Sequence, residues 1–398
     1  MNDRDYEYYC RMRDEEKMRK QPIAWRTVFM TAAVTFILTG ALPYLLLWKK
    51  YDLLTELDFV VKGNYYGDVD AQSVQDNILK GYMYGLDDPY AWYYNEEEYA
   101  HKTQEDSGNL VGIGVSVEYS QDGYVRILEA MPGSPASEAG FMSGDLITAV
   151  DGVDLSETED PVSLIRGEAG TQLTVTVERD GEEDNYELTR RSISLVSAGG
   201  EMLDGQIGYV YINSFEGNTG RQFNDAVDIL IEDGAKGIVV DVRNNGGGLV
   251  QAAEACLDPL LPEGDIAIAT YKNGRTEVLC RSDANMIDIP MAVLINGASA
   301  SAAELFAAAL RDFNGVKLVG TKSFGKGIMQ QDHILSKGTV KFTVATYQTT
   351  KSECYHNIGL TPDCEVSLPE HIEGEVRPKE RSDDTQLQKA VELLTAEL

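Results

Sequence analysis

Histidine and cysteine are both scarce in this chain of 398 residues, which has four histidines and five cysteines. The cysteines form no CxxC pair and have no paired histidines nearby, so their spacing matches no zinc pattern. We therefore expect no metal site and no cofactor. Cys354 and Cys364 are near enough in sequence to form one disulfide. Isolated thiols that behave as small apolar side chains fit the pattern equally well.

Basic residues are also few, with 34 lysines and arginines against 65 aspartates and glutamates and a net charge of −31. A surface this acidic repels phosphate groups, which disfavours a function in nucleic-acid binding. Hydrophobic residues make up 43% of the chain and charged residues 25%, as in ordinary globular proteins. The length suggests two to three domains.

One stretch near the N-terminus, Thr27–Trp48 (TVFMTAAVTFILTGALPYLLLW), contains no charge. A helix needs about 20 apolar residues to cross a bilayer, and this stretch is long enough. Trp25 and Trp48 stand where interfacial aromatic residues belong. The long charged leader and the absence of a small-residue cleavage site favour an uncleaved signal anchor over a cleaved signal peptide or a buried helix.

Basic residues around this predicted anchor (residues 27–48) indicate its orientation, because they concentrate on the cytoplasmic side. More of them precede the anchor than follow it closely: Arg11, Arg13, Lys17, Arg19, Lys20 and Arg26 before, Lys49, Lys50 and Lys62 after. We expect residues 1–26 to be a cytoplasmic tail. The rest of the chain is then extracytoplasmic, on a single-pass protein of the cell membrane.

Three regions with different periodicities follow the anchor. Residues 51–106 read as helical. Residues 107–192 contain short alternating strands separated by Asp-Gly and Pro-Gly turns, which is typical of a small β domain. From 193 to 370 apolar strands alternate with helices, which predicts an α/β domain. The predicted strands of that domain are Ile207–Ile212, Gly237–Val242, Met291–Ile295 and Val316–Val319, and its predicted helices are Gly220–Glu232 and Ala298–Arg311.

The C-terminal region, residues 371–398, has two parts. Residues 371–384 are rich in charge and predict a loose segment. Thr385–Leu398 is an amphipathic helix that is expected to dock on the domain before it. This helix and those of 51–106 are also candidates for pairing two subunits in a homodimer.

Chemistry is indicated first by the segment Ile295–Leu310, INGASASAAELFAAAL. A buried strand ends, small residues follow, and a helix begins. A serine at such a junction can expose its hydroxyl, while backbone amides at the helix N-terminus face a developing negative charge. The structural alternative is a serine that only caps the helix.

Two further segments carry glycines beside polar residues. Phe324–Gly327 places Lys326 between two glycines, and Gln330 follows. A phosphate-binding loop is excluded, because Gly327 occupies the position of the required Ser or Thr. The segment Gly237–Gly248, GIVVDVRNNGGG, ends in glycines whose amides can either approach a ligand carbonyl or form a turn.

Together, NGASASAAE, SFGKGIMQ and VDVRNNGGG resemble segments of the C-terminal processing (tail-specific) serine proteases. GLDDPYAWYY (Gly85–Tyr94) and HNIGLTPD (His356–Asp363) extend the resemblance over nearly all of the chain beyond the anchor. The resemblance implies a serine endopeptidase with a Ser–Lys dyad. It also implies an α/β protease core with a crotonase-like layout, in a multi-domain chain that also has a PDZ domain.

Carried over residue by residue, the resemblance makes Ser301 the nucleophile rather than Ser299. It makes Lys326 the general base and Gln330 the residue that orients the lysine. The one departure is Ala303, where relatives usually have a serine that is not the nucleophile.

The amides of Gly247 and Ala302 are the expected oxyanion-hole donors, with Gly246 and Gly248 as alternatives to Gly247. A serine hydroxyl needs a neighbouring base. A lysine serves as that base only when it is neutral, and burial favours the neutral form. A Ser-His-Asp triad that uses His333 or His356 is the alternative arrangement.

The β domain resembles a PDZ domain, most clearly in GSPASEAGFMSGDLITAVDGV (Gly133–Val153). Its expected peptide-binding residues are Leu110, Val111, Gly112, Ile113, Gly114 and Val115. Loop amides there would hold a terminal carboxylate while the peptide adds a strand to the sheet. Protein or peptide substrates with free C-terminal tails are therefore the expected partners, unless this domain is only a spacer. Leu110, Ile113 and the segment Val162–Ile165 are expected to form the pocket for the last side chain.

Two rival functions come from other classes. The crotonase-like layout is compatible with an acyl-CoA hydratase-like enzyme, which would not need Lys326 or an exported PDZ domain. A PDZ scaffold with a decayed protease domain is disfavoured, because serine, lysine and glutamine are all present.

Overall fold

The computed structural model describes residues 3–19, 25–41, 51–120, 122–158, 160–283, 285–372, 378 and 381–398. The chain divides into two compact units, residues 1–77 and 78–398. The first four helices, α1 to α4, are Asp3–Arg19, Trp25–Phe36, Asp52–Asn64 and Ala71–Tyr84. The first unit contains α1 to α3, and the boundary between the units falls within α4. A π-helical turn, Ile37–Ala41, follows α2.

The predicted anchor Thr27–Trp48 lies only partly on described residues. Helix α2 and the π-helical turn cover its first part, and residues 42–48 lie outside the described residues. Among the described residues, no helix has the length and apolar character needed to cross a membrane.

The predicted helical region 51–106 contains three helices, which are joined by loops and one short strand. Helices α3 and α4 are followed by β1 (Trp92–Tyr94) and α5 (Glu96–Asp106). Asn95 caps α5, since its side chain accepts from the Glu98 amide at 2.8 Å and its own amide donates to the Glu98 carboxylate at 3.0 Å. This reciprocal capping box explains why α5 begins there.

The β domain contains strands β2 to β9 and two short helices, α6 and α7. In chain order the strands are Asn109–Gly112, Val115–Tyr119, Val125–Ala130, Leu146–Val150, Val153–Asp154, Gln172–Arg179, Glu182–Thr189 and Arg191–Ser194, and the helices are Pro135–Glu138 and Pro161–Ile165. Strand order in the main sheet is β3-β4-β5-β7-β8, with β6 on β5, while β2 pairs with β9. β3 therefore lies at an edge of the sheet.

Strands β2 and β3 are separated by Ile113 and Gly114. The chain turns at Gly114, whose φ is +79°, and a Cβ at this position would lie 2.3 Å from the Ser134 Cβ. Only glycine fits such a positive φ and such a close approach.

The α/β domain contains strands β10 to β19 and helices α8 to α11. The strands are Ala198–Leu203, Ile207–Ile212, Gly237–Asp241, Gly264–Tyr271, Thr276–Ser282, Met291–Ile295, Lys317–Gly320, Ile328–Ile334, Thr339–Thr349 and Cys364–Glu365. The helices are Thr219–Glu232, Val250–Leu257, Ala302–Asn314 and Thr385–Glu397. One sheet has the order β10-β11-β12-β15-β16-β19, and the other has β1-β18-β13-β14 with β17 on β18.

The first of these sheets determines where the polar segments lie. Strands β12 and β15 are buried along their whole length, which is the pattern of parallel strands covered on both faces. β12, β15 and β16 are parallel neighbours. Their carboxyl ends therefore lie side by side, at the edge where open α/β sheets bind ligands.

The segment 371–384, predicted to be loose, is anchored at its end. Asp384 is buried and pairs with Arg243 at 2.8 Å, while Arg243 also pairs with Asp241 at 2.7 Å. A buried charge requires such partners. Helix α11 then docks as predicted, and its buried face is Leu387, Ala390 and Leu394. That apolar face is occupied within the chain and is not left for a second subunit.

All five cysteines are unpaired, so the Cys354–Cys364 disulfide does not form in this structure. Cys256 and Cys280 lie in the hydrophobic core of the α/β domain. Burial raises the pKa of both thiols, which keeps them neutral. Cys256 and Cys280 therefore serve as small apolar side chains.

Candidate active site

Ser301 lies on a strained turn between β15 and α10. Its φ of +58° and ψ of −120° are rare for a residue with a side chain. Such strain persists only where the surroundings impose it, and it is concentrated at functional sites. The turn leaves Ser301 half-buried, with the Ala302 amide in the first turn of the helix beside it.

Ser299 has a structural role. Its side chain is fully buried, and its hydroxyl donates to the Val242 carbonyl at 2.8 Å. The same hydroxyl accepts from the Asn296 amide at 3.0 Å. Ser299 thus ties together the ends of β12 and β15, which leaves Ser301 as the serine that faces the site.

Glu304 joins the serine turn to the lysine loop. One carboxylate oxygen accepts from the amides of Ser301 at 2.9 Å and Lys326 at 2.8 Å. The other accepts from the Ser323 hydroxyl at 2.6 Å and the Gly325 amide at 2.7 Å. The side chain is fully buried. A single carboxylate therefore fixes both candidate catalytic segments, each of which lacks regular structure.

The segment His356–Asp363 supports the lysine loop from its other side. The Asn357 amide donates to the Gly325 carbonyl at 2.8 Å. The Leu360 amide donates to the Ser323 hydroxyl at 2.6 Å. All the segments that carried the family resemblance in this domain therefore meet at one place.

Lys326 is half-buried, and its Nζ lies 4.0 Å from the centroid of the Tyr90 ring. Burial lowers the pKa of Lys326, and the positive charge of Lys341 lowers it further, whereas Asp88 and Glu304 oppose the shift. Among the described residues Lys326 Nζ makes no hydrogen bond to Ser301. The two side chains of the predicted dyad are therefore not paired in the described structure.

The hydroxyl of Ser301 instead contacts Tyr347, which the sequence had not indicated. The Tyr347 hydroxyl donates to Ser301 Oγ at 3.3 Å and lies equally far from the Lys326 carbonyl. Burial raises the pKa of the Tyr347 phenol, so it remains a neutral donor. Tyr347 comes from β18, far along the chain, and no local pattern marks it.

Gln330 lies on β17, where the pairing with β18 shifts by one residue. The side-chain amide of Gln330 donates from Nε2 to Thr343 Oγ1 at 3.1 Å. Within the described residues it makes no hydrogen bond to Lys326. Its predicted role in orienting the lysine stays a prediction.

Gly247, a predicted oxyanion-hole donor, lies against the serine turn. A Cβ there would be 2.7 Å from Ser301 Cβ and 3.0 Å from the Ala302 amide nitrogen, so only glycine fits. The Gly247 amide itself donates to Asn245 Oδ1 at 2.8 Å. The choice between Gly247 and its glycine neighbours as the second oxyanion donor stays open.

Neither histidine of the triad alternative contacts Ser301 in the described structure. His333 stacks on Phe342 with ring centroids 4.7 Å apart. His356 follows β18 in sequence and packs beside Gly327. The Nδ1 atom of His356 is buried and has no hydrogen-bond partner among the described residues.

A groove in the β domain contains all the predicted peptide-binding residues. Its lining includes Leu110, Val111, Gly112, Ile113, Gly114, Val115, Val162 and Ile165. Polar residues that the sequence had not indicated also line it: His101, Gln104 and Glu105 from α5, and Arg166 after α7. The three residues of α5 were missed because this helix precedes the β domain in sequence and reaches its groove only in the folded chain.

The model of peptidase family S41 matches residues 206–366, and that of the PDZ domain matches residues 126–179. The carboxy-terminal processing protease CtpA of Bacillus subtilis (strain 168) is 35% identical over 81% of this chain and 70% of its own length. The chain belongs to peptidase family S41. A probable CtpA-like serine protease of Staphylococcus aureus (strain N315) is 31% identical over 81% of the chain and 66% of its own length.

Among solved structures, the photosystem II D1 C-terminal processing protease is 28% identical, with a TM-score of 0.48, over 83% of this chain and 89% of that one. The family resemblance predicted from the sequence is confirmed. This S41 member is a serine-type peptidase of the C-terminal processing type, with a PDZ domain beside its α/β core. Membership favours the peptidase over the acyl-CoA enzyme and the scaffold. The predicted domain boundaries stay predictions.

Proposed function

We propose that this S41 peptidase captures unstructured C-terminal tails in its PDZ groove and cleaves them with Ser301 as nucleophile and Lys326 as general base. The observation that carries the proposal is the Glu304 carboxylate, which binds the serine turn and the lysine loop together. The strained backbone of Ser301 adds to it.

In the proposed reaction, neutral Lys326 accepts the proton of the Ser301 hydroxyl while Oγ attacks the substrate carbonyl carbon. The Ala302 amide and one glycine amide of the loop 246–248 donate to the oxyanion. Collapse expels the amine, which takes its proton from the Lys326 ammonium. The lysine then deprotonates a water that hydrolyses the acyl-enzyme. Because the base must be neutral, activity should rise with pH through the lowered pKa of Lys326.

The PDZ half of the proposal is supported by β3 at the sheet edge beside the groove. A tail that adds to β3 would place its carboxylate at the amides near Gly112 and Gly114. Its last side chain would enter among Leu110, Ile113 and Val162. Burying an unpaired charge there is costly.

We therefore expect unfolded substrates that end in small apolar residues to be cleaved about tenfold faster than the same substrates ending in Asp or Lys. Amidation of the terminus should slow cleavage as well, because it removes the charge that the amides hold. The measurement is kcat/KM for a set of substrates that differ only in their last three residues. Equal rates across the set would make the PDZ domain a spacer and leave the Ser–Lys proposal standing.

We also propose that the chain is held in the cell membrane by residues 27–48, with its N-terminus cytoplasmic and the peptidase outside. The support is the uncharged sequence and the basic residues before it. A protease added to intact cells should then digest the peptidase domain and leave an N-terminal tag on residues 1–26 intact. Protection of the whole chain would contradict this topology.

A further inference from the structure

The Tyr90 ring contacts Lys326, whose Nζ makes no hydrogen bond to Ser301 among the described residues. Nζ lies 4.0 Å from the ring centroid, within the range of a cation–π interaction. In the described structure Ser301 Oγ is meanwhile contacted by the Tyr347 hydroxyl. Base and nucleophile are thus each held by a different tyrosine.

The position of Tyr90 is imposed by its surroundings. The Asp88 carboxylate accepts from the Tyr90 amide at 3.0 Å and from the Thr343 amide at 2.9 Å. The Asp88 carbonyl accepts from the Ala91 amide at 3.0 Å. The Asp-Pro turn is therefore pinned to β18, and the ring stands on a fixed base beside the lysine loop.

We propose that Tyr90 is a positioning residue for Lys326. The Tyr90 ring retains the ammonium form of the lysine and thereby sets the pH at which the base becomes available to Ser301. This inference rests on the proposed function, in which Lys326 is the general base. The face of an aromatic ring attracts a cation through the quadrupole of the ring, and it attracts a neutral amine only weakly. Tyr90 therefore stabilises the resting, protonated lysine, and deprotonation releases it.

Other charges act on the same group. Lys341 disfavours the ammonium form, as burial does, while Asp88 and Glu304 favour it. Removing the ring leaves those charges in place. The ammonium then loses one source of stabilisation, so the lysine should become neutral at a lower pH.

The test compares kcat/KM against pH for full-length wild type, Tyr90→Leu and Tyr90→Phe. We expect the acid limb of Tyr90→Leu to move to lower pH by about 1 unit, since a partly desolvated cation–π contact is of about that strength. Tyr90→Phe keeps a ring face and should keep the wild-type limb. If Tyr90 served folding alone, its replacement would lower kcat/KM at every pH and leave the midpoint of the acid limb unchanged. An unmoved limb in Tyr90→Leu overturns the inference.

Lys326→Ala, measured alongside, separates the two proposals. If it is inactive and the Tyr90→Leu limb is unmoved, only the Tyr90 inference fails. If it is active, the proposed function fails and the inference with it.

A second measurement covers the case in which Tyr90→Leu does not fold. In NMR spectra of the full-length chain with 13C-labelled lysine ε-carbons, the Lys326 ε-protons should be shifted upfield by the ring current. Lys326→Arg identifies the signal by removing it, and Tyr90→Phe should retain the shift. The absence of any such upfield lysine signal in the wild type overturns the inference.

Discussion

Replacement of Lys326 by alanine or arginine should reduce hydrolysis of an unfolded protein by at least about 10⁴-fold, as should Ser301→Ala. Alanine removes the base. Arginine keeps the charge, but its guanidinium does not give up a proton at accessible pH. The measurement is kcat for a labelled unfolded substrate, with folding of each variant checked by thermal unfolding. A metal chelator should leave the wild-type rate unchanged.

Ser299→Ala is the matched control, two residues from the nucleophile. Its hydroxyl is buried between the Asn296 amide and the Val242 carbonyl, so its loss should lower the free energy of unfolding by about 1 to 3 kcal/mol. Measurable activity should remain. Full activity in Lys326→Ala together with loss in His333→Ala would instead assign the base to histidine.

Glu304→Gln should lower kcat/KM by about a hundredfold, although Glu304 is placed to contact no substrate. Its two oxygens accept four hydrogen bonds, from Ser301, Ser323, Gly325 and Lys326. In the glutamine side chain an NH2 group replaces one carboxylate oxygen. This group is itself a hydrogen-bond donor, and it would face the two donors that the oxygen had accepted from. Leaving two buried donors unsatisfied should cost about 2 to 4 kcal/mol of stability. It should also loosen the serine turn and the lysine loop together.

The control for this substitution is Glu254→Gln on α9, where the carboxylate accepts from a single amide, that of Arg281. It should change kcat/KM by less than about twofold. Thermal unfolding and kcat/KM are measured for both variants at a temperature where each is folded. A Glu304→Gln protein with wild-type kcat/KM would mean that the two loops hold their geometry without this carboxylate.

The buried parallel strands could be predicted from the sequence. Ile207–Ile212 and Met291–Ile295 have the predicted bounds, because continuous apolar runs between turn residues have few alternatives in an α/β domain. β17 and β18 were not predicted. Both lie largely half-buried, and the polar run from Gln330 to His333 in β17 hides its strand character.

The site could be predicted only where its residues are adjacent in sequence. The serine turn and the lysine loop were found by resemblance, and the S-x-x-E spacing from Ser301 to Glu304 is a capping signal that the sequence does carry. Tyr90 contacts Lys326, and Tyr347 contacts Ser301. In each case the two residues are far apart in sequence, and β18 brings them together in the folded chain. No spacing within either segment indicates them.

The assignment of Ser301 is tested most directly by trapping the acyl-enzyme. Full-length protein is mixed with an unfolded substrate, quenched in acid within the first turnover, digested and examined by mass spectrometry. The proposed mechanism predicts an acyl adduct on Ser301 that is absent from Ser301→Ala and from Lys326→Ala. An adduct on Ser299, or cleavage by Ser301→Ala at the wild-type rate, would contradict it.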